Sequence, residues 1–315
     1  MYKTLRRLYY FFLKICKKLK GYWMRQIHRH PVIHQPKLAM TLLVKNEIDV
    51  VEENIRFHRK MGVDTIIVTD NYSTDGTYEC LQRLLDNGMI DQLFLDREPS
   101  YNQTEKVDRM IRTACDNYHA DWIMNVDADE FWFSRSGDLK TEISAARCNV
   151  MKCRMVNVYP DEQDIFQSEF IVKKTTFNKK KYTFRPYNLY NEQYPKVLHR
   201  SSGYQMIAMG NHSVEIDRYS EKLSKDIIIY HFCIRGKEHF SNKMINGAIA
   251  AMKMKGANKK AASHWKYFYN CLVVEGKDAE KEYETYIGKR YFFDFVQQGT
   301  LEKDKNLVEL YKNIS

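Results

Sequence analysis

Asp127 and Asp129 are separated by one alanine, and Glu130 follows them directly. On an extended chain alternate side chains share a face, so the two aspartates can project together from the end of a strand. Paired hard oxygen donors, with positions left open for water and phosphate, hold Mg2+ or Mn2+ against a diphosphate. A metal so held is a Lewis acid that neutralises charge on a departing nucleoside diphosphate. The plainer reading of such a pair is a solvated turn. Its place after the apolar run Trp122–Val126, with Phe131-Trp132-Phe133 behind it, favours the metal. A second cluster, Asp70-Asn71-x-Ser73-Thr74-Asp75-Gly76-Thr77, closes another apolar run. An Asx turn and a helix capped by Asp75 or Thr74 explain Asp75 and Gly76. They explain Asp70 and Asn71 less well, and Asp70 is suited to accept from a nucleobase N–H or a ribose hydroxyl. A third group, Asp161, Glu162, Asp164 and Glu169, follows Val156-Asn157-Val158-Tyr159 and reads most simply as a solvated acidic loop.

The elements that must carry these residues follow from hydrophobic pattern. Leu38–Val44 is a continuous apolar run, the mark of a strand buried on both faces. Val50, Val51, Asn54, Ile55, Phe57, His58 and Met61 keep helical spacing up to Gly62. Val63–Thr69 is a second strand, Tyr78–Asn87 a helix, Gln92–Asp96 a third strand, Gln103–Tyr118 a helix and Trp122–Val126 a fourth strand. This alternation predicts a doubly wound α/β fold, with a mostly parallel sheet and helices on both faces. Ligands of such sheets bind beyond the carboxyl ends of the strands, where Asp70 and Asp127/Asp129 stand. From about residue 148 the alternation fails and a mixed α+β half begins. Strands are predicted over 148–158, 169–177, 182–184 and 227–232, with a basic hairpin from Lys173 to Lys181 and helices over 235–254 and most of 264–310.

Charge is unevenly placed. The formal excess is +10, with 50 Lys and Arg against 40 Asp and Glu. Residues 1–37 hold ten of the bases and no acid, so the remainder is balanced. A neutral body gives no support for a nucleic-acid groove. Within the arm, Leu5, Leu8, Tyr9, Phe12, Ile15, Cys16, Leu19, Tyr22 and Trp23 recur at three- and four-residue spacing between the bases. That pattern predicts an amphipathic basic helix lying on an anionic membrane surface through residues 1–30. Its apolar run Leu8–Leu13 is too short to span a bilayer, and no small-residue cleavage site follows it. The alternative is a helix packed on the body. Seven scattered cysteines without a C-x-x-C pair read as buried thiols in a reducing compartment.

Val44-Lys45-Asn46-Glu47, His58-Arg59-Lys60-Met61-Gly62-Val63-Asp64, the Asp70–Thr77 cluster and Asp127-Ala128-Asp129-Glu130-Phe131 occur in that order. With Lys196-Val197-Leu198-His199-Arg200, Gly210-Asn211-His212-Ser213-Val214 and Tyr230-His231-Phe232 they resemble the family 2-type glycosyltransferases, over about residues 37 to 250. The nearer likeness is to the D-x-D-E-F branch common in bacterial surface-polysaccharide loci. The resemblance implies a GT-A fold and inverting, metal-dependent transfer of a sugar from a nucleoside-diphosphate donor to a glycan or lipid-linked glycan acceptor. It implies donor contacts at Asn46, Glu47, Asp70, Asn71 and Asp127. It also implies an Mg2+ or Mn2+ site at Asp127 and Asp129, completed by His231 or His212. Inversion needs one carboxylate to take the acceptor's proton. Asp164 is the expected base, with Asp161, Glu162 and Glu169 as alternatives, although relatives are expected to carry a Gly- and His-containing loop there. The division implied is an arm over 1–36, a GT-A domain over 37–262 and a helical extension over 263–315, working on the inner face of the cytoplasmic membrane. Other readings are a nucleotidyltransferase making the sugar nucleotide, against which stands the lack of a Gly-rich loop after the first strand, and an inactive membrane-surface glycan-binding module.

Overall fold

The computed structural model describes residues 29–96, 103–161, 164–173, 189–253 and 263–314. Most of the basic arm, Glu162 and most of the Lys173–Lys181 hairpin lie outside the described residues. The chain divides into two compact units: the described residues of Met1–Arg154 with Tyr194–Ile228, and Met155–Gln193 with Ile229–Ser315. This division runs through the 37–262 stretch.

The first unit opens with β1 (Leu38–Val44), α1 (Val51–Lys60), β2 (Thr65–Asp70), α2 (Thr77–Asp86), β3 (Gln92–Leu95), α3 (Gln103–Asp116) and β4 (Trp122–Val126). The expected alternation is present. β1 runs parallel to both β2 and β4, and β3 runs parallel to β2. Six of the seven β1 residues are buried, as are all of β2 and β4, which is why these strands read as unbroken apolar runs. Two details differ from expectation. The residue capping α2 is Gly76, at φ 96°, while Asp75 sits one position earlier and accepts from Thr77 N at 3.0 Å. The chain also leaves the extended conformation at Val126, and Glu130 N closes a turn onto Asp127 O at 3.0 Å. The alternation argument for Asp127 and Asp129 therefore does not apply, because both stand in a turn.

A strand not anticipated, β5 (Glu130–Ser134), follows at once, and all five of its residues are buried. Next come α4 (Lys140–Ser144), β6 (Val150–Asn157), β7 (Phe170–Val172), β8 (Lys196–Arg200), β9 (Tyr204–Ile207), β10 (Val214–Ile216) and β11 (Glu221–His231). The eight-stranded sheet has the order β3-β2-β1-β4-β8-β6-β11-β5. β8 is antiparallel to β4 and to β6, so the parallel half gives way to a mixed half. This is a mixed α/β fold with helices against a large sheet. Ala39, Ile67 and Ile123 of the parallel strands pack with Val107, Met110 and Ile111 of α3 in one core.

In the second unit β7 pairs antiparallel with β12 (Leu301–Lys303). Its helices are α5 (Gly236–Lys253), α6 (Ser263–Tyr269), α7 (Ala279–Ile287), α8 (Phe292–Gln297) and α9 (Lys305–Ile314). An aromatic core holds them, including Tyr190, Phe240, Phe268, Tyr286 and Phe295. No helix among the described residues is long and apolar enough to cross a membrane. Cys80, Cys115, Cys148, Cys153, Cys233 and Cys271 are free thiols.

Candidate active site

The carboxyl ends of β2, β1 and β4 lie side by side, because β1 is bonded to both neighbours. Two interstrand spacings, about 10 Å, separate the ends of β2 and β4.

Asp70 ends β2 and is fully buried. Its Oδ2 accepts from Ser73 N at 3.1 Å, and its Oδ1 is buried with no hydrogen-bond partner. A buried acceptor left unsatisfied costs about 1–3 kcal/mol, and more when charged. Such an atom in a native fold calls for an ordered water, an ion or a ligand group as its partner. Around it the loops after β1 and β2 are laced together. Asn46, at φ 57°, accepts at Oδ1 from Thr74 N at 2.8 Å and donates its own N–H to Ser73 Oγ at 2.9 Å. Glu47 N donates to Thr77 Oγ1 at 2.9 Å. Asn71 donates its N–H to Val44 O at 2.8 Å, and its Oδ1 accepts from Lys106 Nζ at 2.5 Å. Lys106 is itself buried and pairs with Asp96 Oδ2 at 2.6 Å. Asn46 thus ties the loop after β1 to the loop after β2, and Asn71 ties the end of β2 to β1 and to Lys106 of α3.

Beyond β4 the acidic turn is gripped from two sides. Lys196, at the start of β8, places Nζ 2.6 Å from Asp127 Oδ2 and 2.6 Å from Glu130 Oε1. Lys196 and Glu130 side chains are each 2% exposed and Asp127 is 40% exposed. Burial alone would discharge the ammonium, but Asp127 and then Glu130 outweigh it and hold Lys196 charged. Burial is also the largest influence on Glu130; Lys196 opposes it and the neighbouring aspartates reinforce it, so the carboxyl rises to about 8. From the other side Asn54 of α1, fully buried, donates through Nδ2 to Ala128 O at 3.0 Å and Glu130 O at 2.8 Å. His58, one turn on, holds Asn54 O at 2.8 Å through Nδ1 and accepts from Trp132 N at Nε2, 3.2 Å. Burial depresses this imidazole to about 4, which keeps Nε2 an acceptor at neutral pH.

The residues present suit a divalent cation. Asp127 spends Oδ2 on Lys196, and its Oδ1 makes no hydrogen bond among the described residues. Asp129 and Glu130 each offer a carboxylate oxygen within 4.8 Å of the other. Hard oxygens from exposed and buried aspartates in one turn match the donor type that Mg2+ and Mn2+ take.

The histidines and the acidic loop stand as follows. His212 follows a short 3-10 turn, its Nδ1 3.2 Å from Pro195 O and its ring edge-on to Tyr194. His231 ends β11 in the second unit, with Nδ1 2.8 Å from Asn157 Oδ1. Asp164, exposed, accepts at Oδ1 from Phe166 N at 3.0 Å and donates its N–H to Asp161 Oδ1 at 3.3 Å. Glu169 is paired with Lys303. Lys196, Asn54, His58 and Lys106 were not anticipated as site residues. Asn54 and His58 carried a signal: two polar residues four apart on the apolar face of an amphipathic helix. Lys196 carried a fainter one, a base heading a run whose every residue is buried.

The model of glycosyltransferase family 92 matches residues 41–267. Among curated proteins none shows a significant sequence match. Solved structures give distant likenesses. Staphylococcus aureus TarS is 12% identical at a TM-score of 0.41, over 78% of this chain and 44% of that one, so the chain spans less than half of TarS. TarS 1-349 in complex with UDP is 12% identical at 0.40, over 76% of this chain and 72% of that one. The mannosyltransferase PcManGT of Pyrobaculum calidifontis, in complex with GDP-Man and Mn2+, is 12% identical at 0.41, over 98% and 92%. At TM-scores of this size the likeness does not extend to residue roles.

Proposed function

The chain belongs to glycosyltransferase family 92, and from that premise we propose that it moves a sugar, with inversion, from a nucleoside-diphosphate donor to a glycan or lipid-linked glycan acceptor. The observation that carries the donor assignment is the buried, unpartnered Oδ1 of Asp70, two strands from the acidic turn. In this reading Asp70 accepts from the ribose or nucleobase, and the loops laced by Asn46 and Asn71 fix the wall of that pocket. Asp127 and Asp129 face the diphosphate and hold a divalent cation, Mn2+ or Mg2+. When bound, that cation supplies charge neutralisation for the leaving nucleoside diphosphate. Lys196 sets the charge of the turn by compensating Asp127 and Glu130, and Asn54 sets its shape.

An inverting displacement needs one proton acceptor on the sugar acceptor's side. Asp164 is the proposed base, and its exposed carboxylate is compatible with that role. The D-x-D-E-F signature supports the surface-polysaccharide branch as the setting. Residues 1–36 form the proposed membrane-surface arm on the cytoplasmic side, ahead of a catalytic domain over 37–262 and a helical extension over 263–315.

The test is nucleotide release from a panel of UDP- and GDP-sugars by the full chain, with Mn2+ and with chelator. The reading expects metal-stimulated release from one nucleotide class, lost in Asp70→Ala and in Asp129→Ala. Release from none of the panel, or release indifferent to both substitutions, would count against it.

A further inference from the structure

A cavity of about 330 Å3 opens within the second unit, lined in part by Asn191, Glu192, Gln193, His231, Lys243 and Trp265. It is at the small end of ligand cavities, roughly 300–1,000 Å3, which suits a single sugar ring better than a sugar nucleotide. Trp265, from α6, supplies an aromatic wall. Its indole rests on α5 at Gly247, where an added Cβ would lie 2.5 Å from Cδ2 and 2.9 Å from Cγ of the ring. Glycine is unfavourable inside a helix relative to alanine. Here its missing side chain is what lets the ring lie against the helix backbone. Trp265 Nε1 is buried yet has no hydrogen-bond partner, whereas a buried indole N–H ordinarily finds one.

The polar lining is balanced. Glu192 brings one negative charge and Lys243 one positive, beside the imidazole of His231, and Lys243 Nζ donates to Cys233 O at 2.8 Å. Asn191 and Gln193 carry amides that both donate and accept. An aromatic surface beside mixed donors and acceptors, with no net charge, is complementary to an uncharged pyranose, which has an apolar C–H face and a rim of hydroxyls.

We propose that this cavity binds one uncharged pyranose ring of the acceptor glycan, with Trp265 as the aromatic surface beside the ring. The word acceptor rests on the transferase reading above; the binding site rests on the cavity alone. The test is saturation-transfer NMR of the full chain against methyl glycopyranosides, among them methyl glucoside and methyl glucuronide, with UDP and GDP affinity measured in parallel. The expected result is binding of at least one uncharged glycoside. Trp265→Ala should weaken it by about tenfold or more. Gly247→Ala, which pushes the ring from its seat, should also weaken it, with nucleotide affinity unchanged in both variants. Should Trp265→Ala lose nucleotide binding through misfolding, Gly247→Ala decides. The proposal is overturned if no uncharged glycoside binds, if the glucuronide binds more tightly than the glucoside, or if both variants bind like wild type. Glycoside binding without nucleotide binding in wild type would strike at the donor reading and leave the cavity assigned.

Discussion

Removing the ammonium of Lys196 isolates the charges it compensates. In Lys196→Met the carboxyl of Glu130, already raised to about 8, keeps its proton and stays buried as a neutral acid, while Asp127, 40% exposed, can turn to water. Losing the two charge-assisted hydrogen bonds that Lys196 makes to Asp127 and Glu130 costs about 3–5 kcal/mol. For a chain of this size that is a fall of roughly 5–20 °C in melting temperature. The double variant Lys196→Met/Glu130→Gln removes both members of the pair at once and should be more stable than the sum of the two single changes, because Lys196 and Glu130 bond to each other. The assay is a double-mutant cycle by thermal and urea denaturation, with nucleotide affinity measured beside it. A coupling energy near zero, with the double variant as unstable as the sum of the singles, refutes the placement of Lys196 between the two carboxylates.

Asn54→Ala leaves Ala128 O and Glu130 O without their donor. It should cost about 2–3 kcal/mol in urea denaturation and weaken nucleotide binding, whereas unchanged nucleotide affinity would show that the turn keeps its shape unaided. Burial lowers both His58 and His199 from 6.5 to about 4. The unfolded chain therefore binds more protons than the folded one between those values. Their contribution is complete above pH 6.5 and is lost as the pH falls toward 4, on the order of 3 kcal/mol for each fully titrated group. A urea midpoint flat across that window contradicts the burial of both rings as neutral groups. Deleting residues 1–30 should release the protein from anionic vesicles and spare nucleotide binding; a truncated protein that still sediments with the vesicles excludes the arm as the anchor.

Much of the scaffold was readable in the sequence, for a physical reason. β1 and β4 occupy the predicted residues because central parallel strands are apolar on both faces and bounded by turns. Asp70 was legible as a polar residue closing such a run. β5 was not, because its first residue is a glutamate, and Glu130 tolerates burial only through Lys196, far along the chain. The same limit hid Lys196 and Lys106: a lysine is normally solvated, and only a tertiary partner makes it interior. Asn54 and His58 share the helical spacing of the apolar residues of α1. Their hydrogen bonds to the acidic turn and to β5 depend on a juxtaposition that helical spacing does not encode. Trp265 and Gly247 face each other from different helices and carried no local pattern.

The proposed donor site holds a nucleoside diphosphate between Asp70 and the acidic turn. Calorimetric titration of UDP and of GDP, with and without Mn2+, into wild type, Asp70→Ala and Asp129→Ala tests it most directly. The expected result is metal-strengthened binding of one nucleotide to wild type, weakened by about tenfold or more in Asp70→Ala even without metal, and stripped of its metal dependence in Asp129→Ala. Binding of neither nucleotide under any metal condition, or equal binding to all three proteins, would contradict it.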